Sequence, residues 1–107
     1  MTYDVVIIGA GTAGVYAGYE LLKLKPHLKV LILEMGNDIY SRVCPIVAGK
    51  VRECISCKPC SIMSGFGGAG AFSDGKYNFT TEFGGWLSDY MDERELMELI
   101  DYVDSVN

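Results

Sequence analysis

The distribution of apolar and polar residues predicts a strand, a helix and a second strand in the N-terminal part of the chain. Residues 3–8 (YDVVII) end in four β-branched apolar residues, a pattern typical of a strand covered on both faces. Residues 12–24 carry apolar side chains at helical spacing, and Pro26 ends that helix. Residues 29–34 (KVLILE) repeat the strand pattern. This order predicts a βαβ unit with parallel strands over residues 3–34, part of a Rossmann-like α/β fold.

The rest of the chain has a weaker pattern. Residues 36–76 hold all four cysteines and many glycines, which predicts a long loop with a short helix near 61–66. Residues 77–81 have the composition of a strand. A terminal helix is predicted at about 92–105, because Asp92 can cap it and an apolar face follows.

Three glycines lie between the first strand and the helix in G-x-G-x-x-G spacing: Gly9, Gly11 and Gly14. The first allows a tight turn, the second lets a diphosphate approach the backbone, and the third lets the helix lie close to the sheet. The N-terminus of the helix then offers N–H groups and a positive dipole end to the pyrophosphate. The motif therefore predicts a dinucleotide site at Gly9, Ala10, Gly11, Thr12, Ala13 and Gly14.

An acidic residue, Glu34, closes the second strand. The dinucleotide fingerprint places an acid about 20 residues beyond the glycines, where it accepts a hydrogen bond from a ribose hydroxyl. Its charge disfavours a 2′-phosphate, and hence an NADP-type ligand. A structural glycine turn beside a solvated glutamate is the alternative interpretation. FAD and NAD both use this motif, so the motif alone does not separate them.

Two longer stretches carry a family resemblance. "YDVVIIGAGTAGVYAGYELL" with "KVLILE" is similar to the start of FAD-dependent oxidoreductases that have a glutathione-reductase-type dinucleotide domain. "CPIVAGKVRECISCKPCSIMSGFGGAGAFSDGKYNFT" resembles a family of largely uncharacterised bacterial and archaeal FAD-dependent dehydrogenases, in which a segment like "GGAGAFSDGK" follows the dinucleotide motif. The resemblance implies FAD as the cofactor.

The resemblance also implies further cofactor contacts. Arg42 would approach the pyrophosphate, and a glycine-rich segment would run near the flavin or its phosphates. From the residues alone, that segment is equally suited to close chain packing, and an arginine in a loop is commonly solvated. The additional residues predicted to contact the cofactor are Met35, Arg42, Gly67, Gly68, Ala69 and Gly70.

Four cysteines form a second candidate site. Cys54, Cys57 and Cys60 follow a C-x-x-C-x-x-C spacing, and Cys44 precedes a proline upstream. Four thiolates suit a zinc ion, and a closely spaced trio with a remote Cys-Pro resembles iron–sulfur ligation. A redox disulfide beside a flavin and four reduced thiols without a chemical role are the other interpretations.

Composition narrows the functional classes. The net charge of −5 argues against a nucleic-acid partner, which would require a basic surface. The sequence contains no run of 18 apolar residues, so it predicts no membrane span. No signal peptide is recognisable, and we therefore expect a cytoplasmic location. His27 is the single histidine and lies beside a proline. No catalytic residue is identifiable.

The patterns predict a dinucleotide-binding segment, and the resemblance implies that it is the FAD-binding N-terminal segment of a flavin-dependent oxidoreductase whose substrate is unknown. The expected partners are FAD and the remainder of a longer polypeptide, with self-association through an exposed sheet edge. The segment alone is expected to be inactive, because its residues would bind the cofactor without acting on a substrate. The flavin itself carries the redox step. The alternatives are a fragment of an NAD-dependent dehydrogenase and a non-enzymatic cysteine module that holds a metal or an iron–sulfur cluster.

Overall fold

The computed structural model describes residues 1–82 and 84–106. The chain divides into two compact units, Met1–Ser73 and Asp74–Asn107. The first unit contains strand β1 (Val5–Ile8), helix α1 (Thr12–Leu24) and strand β2 (Val30–Leu33), with short 3-10 turns at Ile39–Ser41 and Ala69–Phe72. The second contains a 3-10 turn at Leu87–Asp89 and helix α2 (Glu93–Val106).

The predicted βαβ unit is confirmed. β1 and β2 are parallel, and their register runs from Val5 opposite Val30 to Ile8 opposite Leu33. Just past β1, the N–H of Gly9 donates to the carbonyl of Leu33 over 2.7 Å. The ladder therefore continues into the glycine turn and fixes where the turn begins.

Only one face of this small sheet is covered within the described residues of the first unit. α1 lies against Ile7 and Ile32, and Gly18 permits the approach because a Cβ there would sit 3.2 Å from the Cδ1 of Ile32. On the other face Val6 and Ile8 are 50% and 79% exposed. The sequence predicted strands covered on both faces, but no second layer of the unit packs on this side.

The loop predictions are partly wrong. Residues 61–66 form turns instead of a short helix, because the glycines around them adopt positive φ angles, 124° at Gly65 and 84° at Gly67, that a helix does not contain. Residues 77–81 form no strand, and the described residues of the second unit contain no other strand with which they could pair.

The terminal helix is confirmed in the second unit. The carboxylate of Asp92 accepts from the N–H of Glu95 over 3.0 Å, which satisfies one of the donors at the start of α2. Leu96 is the best buried residue of its apolar face, at 5% exposure. None of the helices in the described ranges has the length and apolar character needed to cross a bilayer.

Candidate dinucleotide-binding site

A groove of about 290 Å³ opens at the carboxyl ends of the two parallel strands. This edge is where α/β sheets bind their ligands. The walls come from the ends of both strands, from the glycine turn and from the loop that follows Cys60. The lining residues are Ile8, Gly9, Gly11, Leu33, Glu34, Met35, Met63, Ser64, Gly65 and Gly68.

The glycines of the motif differ in their surroundings. Gly9 has a φ of 96°, a conformation that L side chains rarely adopt. A Cβ on Gly14 would collide with the carbonyl oxygen of Gly9 and lie 3.3 Å from the Cγ2 of Ile7. A Cβ on Gly11 would meet no atom within 4 Å. Gly14 is thus required by packing, whereas the space beside Gly11, which lines the groove, is open.

The first turn of α1 carries no capping side chain. Its N-cap is Gly11, which makes no side-chain hydrogen bond, and the first turn contains no acidic residue. The first N–H groups of a helix lack intrahelical partners, and they carry the positive end of the helix dipole. Thr12 and Ala13 are exposed there. An anion beside Gly11 would meet these donors without competition from a protein carboxylate at the cap.

Glu34 lies at the groove and is held by backbone amides. Its Oε2 accepts from the N–H of Ala10 over 2.7 Å. Its Oε1 accepts from Gly36 over 2.9 Å and from Gly65 over 3.0 Å. These amides, led by that of Ala10, keep the pKa of Glu34 below its ordinary value against the opposing effect of desolvation. The side chain is therefore anionic at neutral pH.

This arrangement limits what Glu34 can offer a ligand. A carboxylate has about four acceptor positions, of which Oε1 uses two and Oε2 one. The amide of Met35 also acts on the carboxylate. Of the bonds from Ala10, Gly36 and Gly65, Oε2 accepts one and Oε1 two, so Oε2 suits a single ribose hydroxyl better than Oε1 does. A 2′-phosphate at this place would meet a negative charge.

The glycine-rich segment after the cysteines packs against the glycine turn. The N–H of Gly67 donates to the carbonyl of Ala10 over 2.8 Å. A Cβ on Gly68 would sit 3.2 Å from the Cα of Gly11, and one on Gly70 would sit 3.4 Å from the Oγ1 of Thr12. Two motifs far apart in the sequence thus meet at the start of α1, and Gly68 lines the groove.

Some predicted contact residues do not line the groove. Ala10 is 1% exposed, and both of its backbone polar groups are used, by Glu34 and by Gly67. Ala69 is exposed outside the groove lining. Met35, by contrast, is 77% exposed and lies in the groove wall.

Arg42 differs from the expectation of a phosphate contact. Its side chain is 5% exposed, and its guanidinium donates to four backbone carbonyls. These bonds use four of its five N–H groups. The reason is that the loop after Cys60 wraps around the arginine and brings its carbonyls within reach. Arg42 binds the loop that forms the groove wall.

The cysteines share one small cavity without forming a metal-binding group. Cys44, Cys54, Cys57 and Cys60 all line an apolar cavity of about 60 Å³, and all four are free thiols. Among the residues that the structure describes, no three histidine, cysteine or acidic side chains are placed to hold a metal ion. The prediction of a bound ion at these cysteines has no geometric support.

One thiol of the four has a distinct environment. The amide of Met63, with that of Ile62, lowers the pKa of the Cys60 thiol, and the charge of Arg42 adds to the effect. Burial acts in the opposite direction. Cys60 therefore forms a thiolate at a lower pH than an ordinary cysteine.

Sequence reasoning missed part of the groove. Met63, Ser64 and Gly65 form one wall, and a Cβ on Gly36 would collide with the backbone of Gly65. The signal available was the placement of glycines: one directly after the Glu34–Met35 pair and one just before the "GGAG" segment. The contact between them depends on a long-range chain crossing that no local pattern reports.

Comparison with known proteins agrees with this geometry. Residues 7–49 match the family model of NAD(P)-binding Rossmann-like domains. The N-terminal unit has a Rossmann-like α/β fold. The match covers β1 from Ile7 onward, α1, β2 and the chain through Arg42, and so includes the glycine turn and Glu34.

Three relatives match parts of the chain. The mitochondrial L-2-hydroxyglutarate dehydrogenase of Dictyostelium discoideum is 42% identical over 60 residues, which is 56% of this chain and 14% of that protein. Thiamine thiazole synthase of Yarrowia lipolytica is 58% identical over 33 residues, 31% of this chain and 10% of that protein. The chloroplastic thiamine thiazole synthase of Chlamydomonas reinhardtii is 55% identical over 33 residues, 31% of this chain and 9% of that protein.

The chain therefore spans 9–14% of the length of these relatives. No solved structure matches it significantly. The comparisons support a dinucleotide-binding segment related to a named dehydrogenase, and they leave the substrate undefined.

Proposed function

We propose that the first unit binds FAD through its adenosine diphosphate half, as the cofactor-binding segment of a flavin-dependent oxidoreductase. The observation that carries the proposal is the pairing of an open position at Gly11 with an anionic Glu34 across one groove. The open position and the uncapped start of α1 suit a diphosphate. The Oε2 of Glu34, which accepts fewer of the bonds from Ala10, Gly36 and Gly65 than Oε1 does, suits a ribose hydroxyl.

The size of the groove supports a partial site. At about 290 Å³ it lies at the small end of ligand pockets, which span roughly 300–1,000 Å³. An adenosine diphosphate group is matched to this volume better than a complete FAD. The flavin ring would then extend beyond the groove, and the redox reaction belongs to a longer polypeptide such as the relatives, whose named activities include a dehydrogenase.

A second candidate ligand is NAD, favoured by the description of the matching family as NAD(P)-binding. NAD and FAD share the adenosine diphosphate half, so the groove accommodates either in the same way. The resemblance of the loop through residues 67–76 to FAD-dependent dehydrogenases favours FAD. NADP is disfavoured by the charge of Glu34.

The test is a set of parallel titrations of the whole chain with FAD, NAD⁺, NADP⁺ and ADP. We expect FAD and ADP to bind competitively, because they share the groove, and NADP⁺ to bind more weakly than NAD⁺. Isothermal titration calorimetry gives each affinity, and quenching of flavin fluorescence gives an independent value for FAD. Binding of NAD⁺ but not of FAD would establish the second candidate. Failure of ADP to bind would refute both.

A further inference from the structure

The loop between Cys60 and Phe72 is built around a buried cation. Arg42 is 5% exposed, and its guanidinium lies 4.7 Å from the centroid of the Phe72 ring. No carboxylate of the described residues forms an ion pair with it. A buried charge is costly unless its hydrogen bonds are satisfied, and here backbone carbonyls satisfy them.

The four carbonyls come from one continuous stretch of chain. Nε donates to Ser61 over 2.9 Å and Nη2 to Ile62 over 2.7 Å. Nη1 donates to both Phe66 and Gly68 over 2.8 Å. The planar guanidinium has its donors in fixed directions, so it sets the orientation of the peptide groups it binds.

The other side of the same stretch faces the groove. The N–H and C=O of one planar trans peptide point in opposite directions. In the peptide joining Phe66 to Gly67, the carbonyl faces Arg42 and the N–H donates to Ala10. The nearby N–H of Gly65 donates to Glu34. The loop is thus bound by Arg42 on one side and by Ala10 and Glu34 of the dinucleotide site on the other.

We propose that Arg42 is a positioning residue for the dinucleotide site: by binding the carbonyls of residues 61, 62, 66 and 68 it orients this loop as the groove wall that packs against the glycine turn. The inference rests on the proposed function for the identity of the ligand. Carbonyl oxygens are partly negative and would repel a diphosphate. With the carbonyl of Gly68 turned to Arg42, that oxygen is drawn away from the groove wall next to Gly11.

The proposal distinguishes Arg42 from a phosphate ligand and from a general stabiliser. A residue needed only as a positive charge could be replaced by lysine. A lysine ammonium has three donors and no planar fork, so it cannot hold four carbonyls in this geometry. A residue needed only for folding would, when replaced, loosen the whole unit, including the ladder bond from Gly9 to Leu33.

The experiment compares Arg42→Lys and Arg42→Met with Arg52→Met, which makes the same change at an exposed arginine. Amide hydrogen exchange is measured by NMR, and FAD and ADP affinities by calorimetry. In both Arg42 variants we expect faster exchange at Gly65 and Gly67 with unchanged protection at Gly9, and ligand affinity reduced by about tenfold or more. Arg52→Met should behave as the wild type.

Each other outcome overturns the inference or separates it from the proposed function. Wild-type exchange at Gly65 and Gly67 in either Arg42 variant would refute it, as would full recovery of affinity by lysine. If Arg42→Met fails to fold, Arg42→Lys decides; failure of both would show that Arg42 supports the whole unit. If the wild type binds neither FAD nor ADP, the proposed function fails, and the exchange measurement still tests the position of the loop.

Discussion

The glycine turn and the cysteine segment, both in the first unit, are held by different kinds of interaction. Around the turn, backbone groups meet each other: Gly9 bonds to Leu33, and Gly67 bonds to Ala10. Around the cavity of the cysteines, four thiols share an apolar space without converging on a common point. A site made of backbone is preformed by the fold that creates it. A site made of side-chain ligands needs an additional interaction to bring those ligands together.

The largest expected effect is at Gly14. Gly14→Ala places a methyl group against the carbonyl oxygen of Gly9, and the turn at Gly9 is held by the bond from its N–H to the carbonyl of Leu33. We expect a loss of about 3 kcal/mol of unfolding free energy, the upper range for overpacking in a tightly packed region. Chemical denaturation followed by circular dichroism measures it. A loss of less than about 0.5 kcal/mol would mean that the turn is not held as rigidly as the comparison requires.

Gly11→Ala is the matched variant, which should affect ligand affinity more than stability. The added methyl group meets no atom within 4 Å, so stability should change by less than about 1 kcal/mol. The methyl group would occupy the close approach of the diphosphate. We expect FAD and ADP affinity to fall about a hundredfold, an effect comparable to steric overpacking. Unchanged affinity in this variant would show that the ligand does not lie against Gly11.

The βαβ unit could be predicted from sequence because its signals are local. The β-branched strands, the glycine spacing and the strand-closing Glu34 lie within one short stretch, and each position has one steric reason. The limits of β1 and β2 fall within two residues of the prediction. The strand pattern by itself does not indicate the exposed outer face of the sheet, because a covered strand and an uncovered apolar strand have the same pattern.

A long loop was predicted here, but the contacts it makes with the groove could not be, because its partners are distant in the sequence. Glu34 contacts Gly65, and Arg42 contacts Gly68, through backbone groups that every residue possesses. A chain crossing of this kind leaves no side-chain pattern to detect. Gly36 and Gly65 are the sequence features that accompany this crossing, and the sequence alone does not show that they lie close together.

Glu34→Gln tests how the two sides of the groove are joined. An amide in place of the carboxylate presents its own N–H groups to at least one of the three backbone amides, so a hydrogen bond must be lost. We expect a lower midpoint of thermal unfolding and ADP affinity reduced by about tenfold. Calorimetry measures the affinity, and differential scanning calorimetry measures the unfolding.

The contribution of Glu34 to the stability of the fold depends on pH in a defined direction. Because the folded-state pKa of Glu34 lies below its ordinary value, its contribution to stability is present above that ordinary value and is lost as the pH falls through the folded-state pKa. The wild type should therefore lose stability on acidification, and Glu34→Gln should lose less over the same interval. An equal loss of stability on acidification in the two proteins would contradict the hydrogen bonds assigned to Glu34.

The smallest expected effect lies at the cysteines. Because the four thiols do not converge, an equimolar addition of Zn²⁺ under reducing conditions should leave the unfolding midpoint unchanged, and Cys57→Ser should alter stability by no more than about 0.5 kcal/mol. Elemental analysis of anaerobically purified protein, with this variant as the control, measures the metal content. One equivalent of metal that is lost in Cys57→Ser would overturn the contrast between the two regions. It would mean that the segment rearranges around an ion, so that the cysteines, like the glycines, form a defined site once their ligand is present.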